Sequence, residues 1–568
     1  MGGLTAAIDL RGLGVPTQAA LDLGRQEFFR GTPEAASVSG CSIAAWRWAD
    51  EERPLASAAG VLVGVHGYFF GSSPKASAER LLTAYLEAGK AGFLEIDGEF
   101  AFILWDSRSK SAFLGRDPFS TRPLFYASSG RRLAVATEIR QVLRAGVVQD
   151  RQLNFDQLWP FLKDGEPGTN PSETMFRGVR RALPGVVESF ALDARAAKQE
   201  LWKPPTTTDR RITPKAVATL LPEALSRSVR RRRLSKPAFL LSGGLDSPFV
   251  AAVALRDPDL RLQFGHAPTA FTEVAGGHAV DESERASRVA AHLGLKHVIL
   301  DIRGLDAAAE LQKLLSVSDQ PLQMPGLGFY ALTELAAAQG FRSLVGGLGG
   351  DTFWHFIPRE VSPWDLPPAV ALLHFARRLT AAGKTMGTGS FRKFARETRQ
   401  ILRERKTRTF HSTATWSRRY ERMGAFVFGP YEGREQVGAR MGVSFSEPFF
   451  DREVAEIAFA VEPRHLLGLP NAKRLLAMAA RDYLPAAFIN DWEPLHYSGF
   501  LAELLASSSQ GLPVFSEELS RSTRQLAGDA VARDSRDPAW PQLSLFYRFA
   551  ALVEYFSCNR VPNAGGVS

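Results

Sequence analysis

An apolar run, "AFLL" (238–241), passes into Ser242-Gly243-Gly244-Leu245-Asp246-Ser247 and then straight into the alanine-rich "PFVAAVALR" (248–256). A strand that turns through two glycines directly into a helix belongs in a parallel α/β sheet. At such a junction unpaired backbone N–H groups and the positive end of the helix dipole come together, which suits an anion. Gly243 and Gly244 let that anion approach the backbone with no side chain between, and Ser242 and Ser247 add hydroxyl donors. Pro248 falls in the first helical turn, where its missing N–H does no harm. Asp246 repels phosphate by itself, so its presence implies an intervening cation, most simply Mg²⁺. Adjacent glycines also occur in plain strand–helix turns. Six consecutive residues of this chemistry nevertheless say much more than a lone GxGxxG.

Length and composition bound what surrounds this loop. A chain of 568 residues with 45% hydrophobic and 23% charged content holds more than one domain, most economically two large α/β units. No uncharged apolar run reaches 18 residues, so no transmembrane helix and no membrane partner are expected. The opening "MGGLTAAIDLRG" lacks the basic start and apolar stretch of a signal peptide. Gly2 invites myristoylation, but Ala6 stands where Ser or Thr is needed. Cys41 and Cys558 are too few for a disulfide framework or a zinc site. A cytoplasmic protein is expected. The net charge of +9 is concentrated in "RSVRRRRL" (227–234) and in 392–422. No nucleic-acid module or stacking-aromatic pattern accompanies it, so we expect solvated helix faces and no nucleic-acid partner.

Composition shifts at "LWKPPTTTDRRITPKA" (201–216), which sets the expected domains at 1–205 and 206–560. Before it, short runs such as "FAFILWD", "SAFLGRD", "RPLFYAS" and "RLAVATE" are spaced as antiparallel strands. After it, strands are predicted at "AFLLS", "LQFGH", "HVILDI" and "SLVGG". They alternate with helices at "PFVAAVALR", "SERASRVAAHLG" and "FYALTELAAAQG", the rhythm of a parallel sheet.

The Ser242–Ser247 loop resembles the pyrophosphate loop of the ATP pyrophosphatase superfamily. Further segments, in order, resemble the asparagine synthetase family within it: "AVDESERASRVAAHLGLKHVILDI", "SVSDQPLQMPGLGFYALTELAAAQGFRSLVGGLGGDTFW", "SEPFFDREVAEIAFAVEPRHL" and "NAKRLLAMAARDYLP". The N-terminal "LEIDGEFAFILWDSRSKSAFLGRDPFSTRPLFYA" is similar to that family's glutaminase core. The resemblance covers roughly 60–145 and 210–490. It implies an N-terminal antiparallel αββα glutaminase-like sandwich, then a parallel-sheet PP-loop synthetase domain with a helical C-terminal part. It also implies an ATP site at Ser242, Gly243, Gly244, Leu245, Asp246, Ser247, Gly347 and Gly349, with Mg²⁺ held by Asp246 and Asp351.

Departures from the family pattern are informative. Gly2 stands where a working glutaminase of this type exposes its cysteine nucleophile, and the substrate segment is replaced by "VHGYFFG". The resemblance therefore implies an inactive glutaminase domain. In "Gly347-Leu348-Gly349-Gly350-Asp351", Leu348 occupies the position of a proton acceptor, Glu in asparagine synthetase and Tyr nearby in β-lactam synthetase. The loop is more similar to the lasso-peptide macrolactam synthetases, which adenylate an Asp or Glu side chain of a precursor peptide and close a ring with its own α-amine. A peptide precursor, with its leader-processing protease, is then the implied partner. Glu493 stands where the family usually has a phosphate-neutralising lysine. A shifted alignment, a cation from 392–422 and loss of activity all remain open there. Lys473, nearby in sequence, belongs to a helix in the family and is not expected to substitute.

Other candidates carry ordinary readings. His266 is expected to cap a strand near the adenine pocket; His465 and His496 have no partner at metal-site spacing. Asp281 and Glu282 begin a helix, where acids are favoured whatever their function. Asp97, Arg116, Asp117 and Arg122 match the glutaminase core and are expected to hold its fold. The favoured function is ATP-dependent carboxylate adenylation followed by intramolecular amide formation on a peptide. Alternatives are a β-lactam synthetase-like cyclase, an asparagine synthetase using free ammonia, and a non-catalytic nucleotide- or peptide-binding homologue.

Overall fold

The computed structural model describes residues 2–24, 31–48, 51–71, 75–148, 170–192, 197–278, 281–320, 327–355, 430–466 and 473–490, with a few positions between them. Glu493, His496, Cys558 and most of 392–422 lie outside these residues.

Residues up to Glu200 build two antiparallel six-stranded sheets. Strand Gly98–Asp106 shows why they stack, since every one of its residues is buried. Alternation sends Ala101, Ile103 and Trp105 into the space between the sheets, against Leu4, Ala6 and Ile8 of strand Gly3–Asp9. Phe100, Phe102 and Leu104 face the other way, beneath Leu81, Leu82 and Tyr85 of helix Ser77–Ala88. Helices Thr17–Leu23 and Ile139–Arg144 pack on the outer side of the other sheet, completing the expected αββα order.

Beyond the 201–213 segment, five parallel strands stand in the order Lys296–Asp301, Thr269–Val274, Pro237–Leu240, Ser343–Val345, Ser444–Ser446. Pro237–Leu240 comes first in the chain and lies at the centre, so the sheet grows outward from it in both directions. The crevice at the carboxyl ends of this strand and Ser343–Val345 is the switch point, where open α/β sheets bind ligands. Helices Asp246–Arg256, Ser283–Leu293 and Leu327–Ala338 occupy the expected places.

Two expectations are corrected. "LQFGH" is not a strand: Pro258–Gln263 is a helix, and the strand is Thr269–Val274. Asp257 caps the helix by accepting from Asp259 N and Leu260 N, Pro258 starts it, and Leu260 and Phe264 share a buried face one turn apart. His266 is exposed and ends no strand. The arginine run 227–234 is not simply a solvated face either. It lies at the end of helix Pro214–Arg230, against the domain junction, and the Arg232 side chain has no exposure.

That junction is laced with charge. Arg232 Nε donates to Glu99 Oε1 at 2.9 Å, Arg181 Nε to Glu432 Oε1 at 2.5 Å, and Arg140 Nε to Asp319 Oδ1 at 2.7 Å. His66 Nε2 and Glu435 Oε1 lie 2.9 Å apart. Among the described residues no helix is long and apolar enough to cross a membrane.

Candidate functional site

The switch-point crevice brings together three segments far apart in sequence. The first is the loop after Pro237–Leu240. Leu241 and Leu245 are buried and pin its two ends, and between them the chain has room only for a tight turn. Ser242 N donates to Ser247 Oγ and the two hydroxyls lie 3.0 Å apart, while Gly244 N donates to Ser242 Oγ at 3.2 Å. Arg285 Nε donates to Gly243 O at 3.0 Å, and its Nη2 donates to Phe488 O at 3.1 Å. The result is a ring of small polar groups at the start of helix Asp246–Arg256.

The second segment, 346–350, follows Ser343–Val345 and passes so close to the first that glycine is obligatory. A Cβ on Gly347 would come within 2.3 Å of Ser247 N, and one on Gly350 within 2.3 Å of Asp246 Oδ1. Gly349 has φ +99°, a left-handed conformation that precedes helix Gly350–Trp354. Asp351 follows, and His355 Nδ1 lies 3.2 Å from its Oδ1.

The third segment brings Lys473, just ahead of helix Arg474–Ala480. Its Nζ sits 2.5 Å from Asp246 Oδ2 and 2.7 Å from Asp351 Oδ1, with the side chain only 3% exposed. Burial pushes the Asp246 carboxyl up to about 6, against the opposing pull of Lys473. At Asp351 burial acts in the same direction, but the His355 hydrogen bond and the Lys473 charge outweigh it and hold the carboxyl below its ordinary range. Burial would lower the Lys473 ammonium, yet the two carboxylates raise it, so it stays charged.

Two of the expected acids separate by role. Asp281 holds the turn ahead of its helix, accepting from Ser283 N at 2.9 Å and from Gly277 N at 2.9 Å. Glu282 instead reaches the glycine loop, where its Oε2 accepts from Gly243 N at 3.2 Å. Burial raises its carboxyl.

Asp246 and Asp351 satisfy the simplest test for a magnesium site. Asp246 Oδ1 is buried and has no hydrogen-bond partner among the described residues, directly beside Gly350. No group of three or more His, Cys, Asp or Glu side chains suited to a metal occurs among the described residues. Two carboxylates beside a phosphate-shaped loop match an ion that keeps waters and shares itself with a nucleotide, and do not match an all-protein cage.

Residues outside the crevice behave as framework. Asp117 Oδ2 accepts from Thr121 N and Oγ1, and Arg116 donates to the carbonyls of Arg122, Ala182 and Ser120. Arg122 Nη2 lies 3.3 Å from Glu99 Oε2, and Arg452 Nε lies 2.9 Å from Asp97 Oδ1 as an ion pair. His465 lies 3.6 Å from Glu462. A Cβ on Gly2 would fall 1.6 Å from Trp46 O, so this backbone admits no side chain there. Cys41 is wholly buried in its strand, which drives its thiol upward and leaves it un-ionised. A cavity of about 230 Å³ lies between the domains, lined by Trp46, Trp48, His66, Tyr68, Arg122 and Arg342 among others, with no residue of the crevice loops.

Sequence reasoning missed two residues. Lys473 was set aside, although a lysine opening an otherwise apolar helix segment was a usable signal. Glu447 is completely buried; its Oε2 accepts from Leu348 N at 2.7 Å and its Oε1 pairs with Arg434. An acid within the apolar "SEPFF" was its only trace.

Comparison with known families agrees with this layout. Residues 220–491 match the model described as asparagine synthase, and 67–202 match the glutamine amidotransferase domain. An amidase, chyE, of Penicillium rubens is 27% identical over 60% of this chain and 52% of its own length. A putative glutamine-hydrolysing asparagine synthetase of Mycobacterium tuberculosis is 25% identical over 53% of this chain and 47% of its own. Asparagine synthetase 1 of Bacillus subtilis is 25% identical over 50% and 44% respectively. The chain thus spans about half the length of the curated relatives it matches.

Proposed function

We propose that this chain, with its asparagine synthase region and the amidotransferase-type region ahead of it, is an ATP-dependent ligase of the asparagine synthetase type that activates a carboxylate as an adenylate and closes an intramolecular amide on a peptide. The observation that carries this reading is the meeting of Asp246 and Asp351 across the switch point, beside the Ser242–Ser247 loop.

Ser242, Gly243, Gly244, Leu245 and Ser247 would take up the pyrophosphate portion of ATP through N–H and hydroxyl donors. Gly347 and Gly349 let the second loop close on the same nucleotide. Asp246 and Asp351 would hold Mg²⁺, which supplies charge neutralisation on the triphosphate when bound. The substrate carboxylate forms a bond to the α-phosphorus as the α–β phosphoanhydride bond breaks and pyrophosphate leaves. An amine then attacks the acyl carbon, AMP departs, and the amine loses its proton to solvent.

Leu348 offers no proton acceptor beside the reacting amine. A peptide α-amine, with an ordinary pKa near ~8, is partly neutral at physiological pH, so positioning does most of the work. A lysine-like small amine would need a base. Loss of glutamine hydrolysis is supported by the steric exclusion at Gly2 and by the capture of His66 and Tyr68 in contacts with Glu435 and Glu99. The amidotransferase region then serves as scaffold.

The test uses synthetic peptides with a free N-terminus and an internal Asp or Glu, with ATP and Mg²⁺. Loss of one water from the peptide, with AMP and pyrophosphate formed in equal amounts, supports the proposal. N-terminal acetylation should leave adenylation intact and block ring closure. AMP release only with aspartate and ammonia, or with a small β-amino acid, overturns the peptide reading; absence of ATP–pyrophosphate exchange with every substrate overturns the ligase.

A further inference from the structure

Lys473 holds the two carboxylates through one oxygen each, Asp246 Oδ2 and Asp351 Oδ1. These carboxylates come from opposite sides of the switch point, and without a cation between them they would repel. The lysine is nearly buried, and helix Arg474–Ala480 behind it is anchored in the core by Leu475 and Leu476. The helix that follows is thus tied to the core, and a swing of the lysine side chain is the smallest movement that would free both carboxylates. Asp246 Oδ1 is the one oxygen of that carboxylate left without a hydrogen-bond partner among the described residues.

We propose that Lys473 gates this metal site: in the nucleotide-free protein its ammonium takes the place of the divalent cation, and the cation is admitted only together with a nucleotide. The inference rests on Asp246 and Asp351 being the metal ligands. One positive charge offsets half of the two negative ones, and the ammonium that supplies it is nearly buried, so a divalent ion arriving alone must displace it and leave it buried without an anion. That is unfavourable. A nucleotide brings several negative charges into the Ser242–Ser247 loop. The ammonium then has a new anionic partner, and both carboxylates become available to the metal. The same movement would give the phosphates a nearby cation in a chain whose Glu493 stands about where the family usually has a lysine. Lys473 acts here as a positioning residue, through the carboxylates and the phosphates.

The probe is Mn²⁺, followed by electron paramagnetic resonance with no nucleotide present. Lys473→Met should bind Mn²⁺ on the order of tenfold or more tightly than the wild type, which must first displace its lysine. Lys473→Arg, which keeps the charge, should bind as weakly as the wild type. Lys473→Gln serves as a second neutral variant should the methionine variant fail to fold. Equal nucleotide-free Mn²⁺ affinity in the wild type and a folded neutral variant overturns the gate. In the wild type, a non-hydrolysable ATP analogue should tighten Mn²⁺ binding to the protein; unchanged affinity overturns the gate without any variant. The underlying metal assignment is checked separately with Asp246→Asn in the Lys473→Met background. If Mn²⁺ binds that double variant as tightly as Lys473→Met alone, Asp246 is not a ligand and the premise falls with the proposal.

Discussion

Replacing Arg232 with Met tests how far buried charge joins the two domains. The side chain has no exposure, and it donates to Glu99 Oε1 at 2.9 Å, Ser228 O at 2.7 Å and Phe450 O at 2.8 Å. Asp451 Oδ2 lies 3.4 Å from its Nη1. Methionine would leave Glu99 and Asp451 in the junction with one cation fewer, and removing one partner of a buried pair costs about 3–5 kcal/mol. Glu99 would keep Arg122 at 3.3 Å and the Tyr68 hydroxyl at 3.1 Å, and Asp451 would keep Arg231. This remaining compensation places the expectation at the lower end, about 3 kcal/mol. At roughly 2–4 °C per kcal/mol for a cooperative unit of 150–250 residues, the melting midpoint should fall by about 6–12 °C. Urea and thermal unfolding at neutral pH measure both quantities. Glu99→Gln in the Arg232→Met background should recover part of the loss, because it removes the stranded charge; a cycle over the two positions should show coupling above ~0.5 kcal/mol. A loss within about 0.5 kcal/mol, the size expected of an exposed arginine, would refute the reasoning.

Asp246→Asn and Asp351→Asn should each abolish pyrophosphate formation while leaving the circular dichroism spectrum unchanged, because both lie at loop–helix junctions; near-normal turnover in either would remove that residue from the metal site. Gly347→Ala should cost about 1–3 kcal/mol through a clash with the Ser247 backbone, and should reduce activity more than stability, since it displaces the start of helix Asp246–Arg256 at the proposed site. Leu348→Tyr and Leu348→Glu should not raise the cyclisation rate, and a large gain in either would show that a base was missing. Glutamine should yield no glutamate above background, and turnover that survives loss of both Cys41 and Cys558 would reveal another nucleophile. His66 gives a pH signature: burial holds its imidazole below the ordinary 6.5 despite the neighbouring Glu435. The unfolded chain therefore takes up a proton that the folded chain resists, and stability should fall as pH drops below about 6.5. His66→Gln should flatten that slope in urea titrations, and an unchanged slope would count against the assignment.

The strand–loop–helix around Gly243 was legible because it is local: an apolar run, two glycines and an alanine-rich segment report their own geometry within 17 residues, 239–255. Strand Gly98–Asp106 was legible for a related reason, since its unbroken apolar run requires cover on both faces. "LQFGH" misled because three apolar or amide side chains cannot by themselves distinguish a strand from a short capped helix; Asp257 and Pro258, two positions outside the quoted run, made the difference. The arginine run misled because a charge's solvent exposure depends on what lies opposite it.

The chain by itself determined the tight glycine turn of 242–247, the glycines of 346–350 and the two aspartates, since each is a local requirement for close backbone approach or charge. It could not determine that Lys473 stands between those aspartates, 227 residues from one of them, or that Glu447 holds Leu348 N. Nor could it show that Arg232 is buried between Glu99 and Asp451. Charge–charge contacts of this kind follow no periodicity along the chain. They are set by which ends of the parallel sheet meet at the switch point and by how the sandwich docks on the sheet, so only the assembled fold decides them.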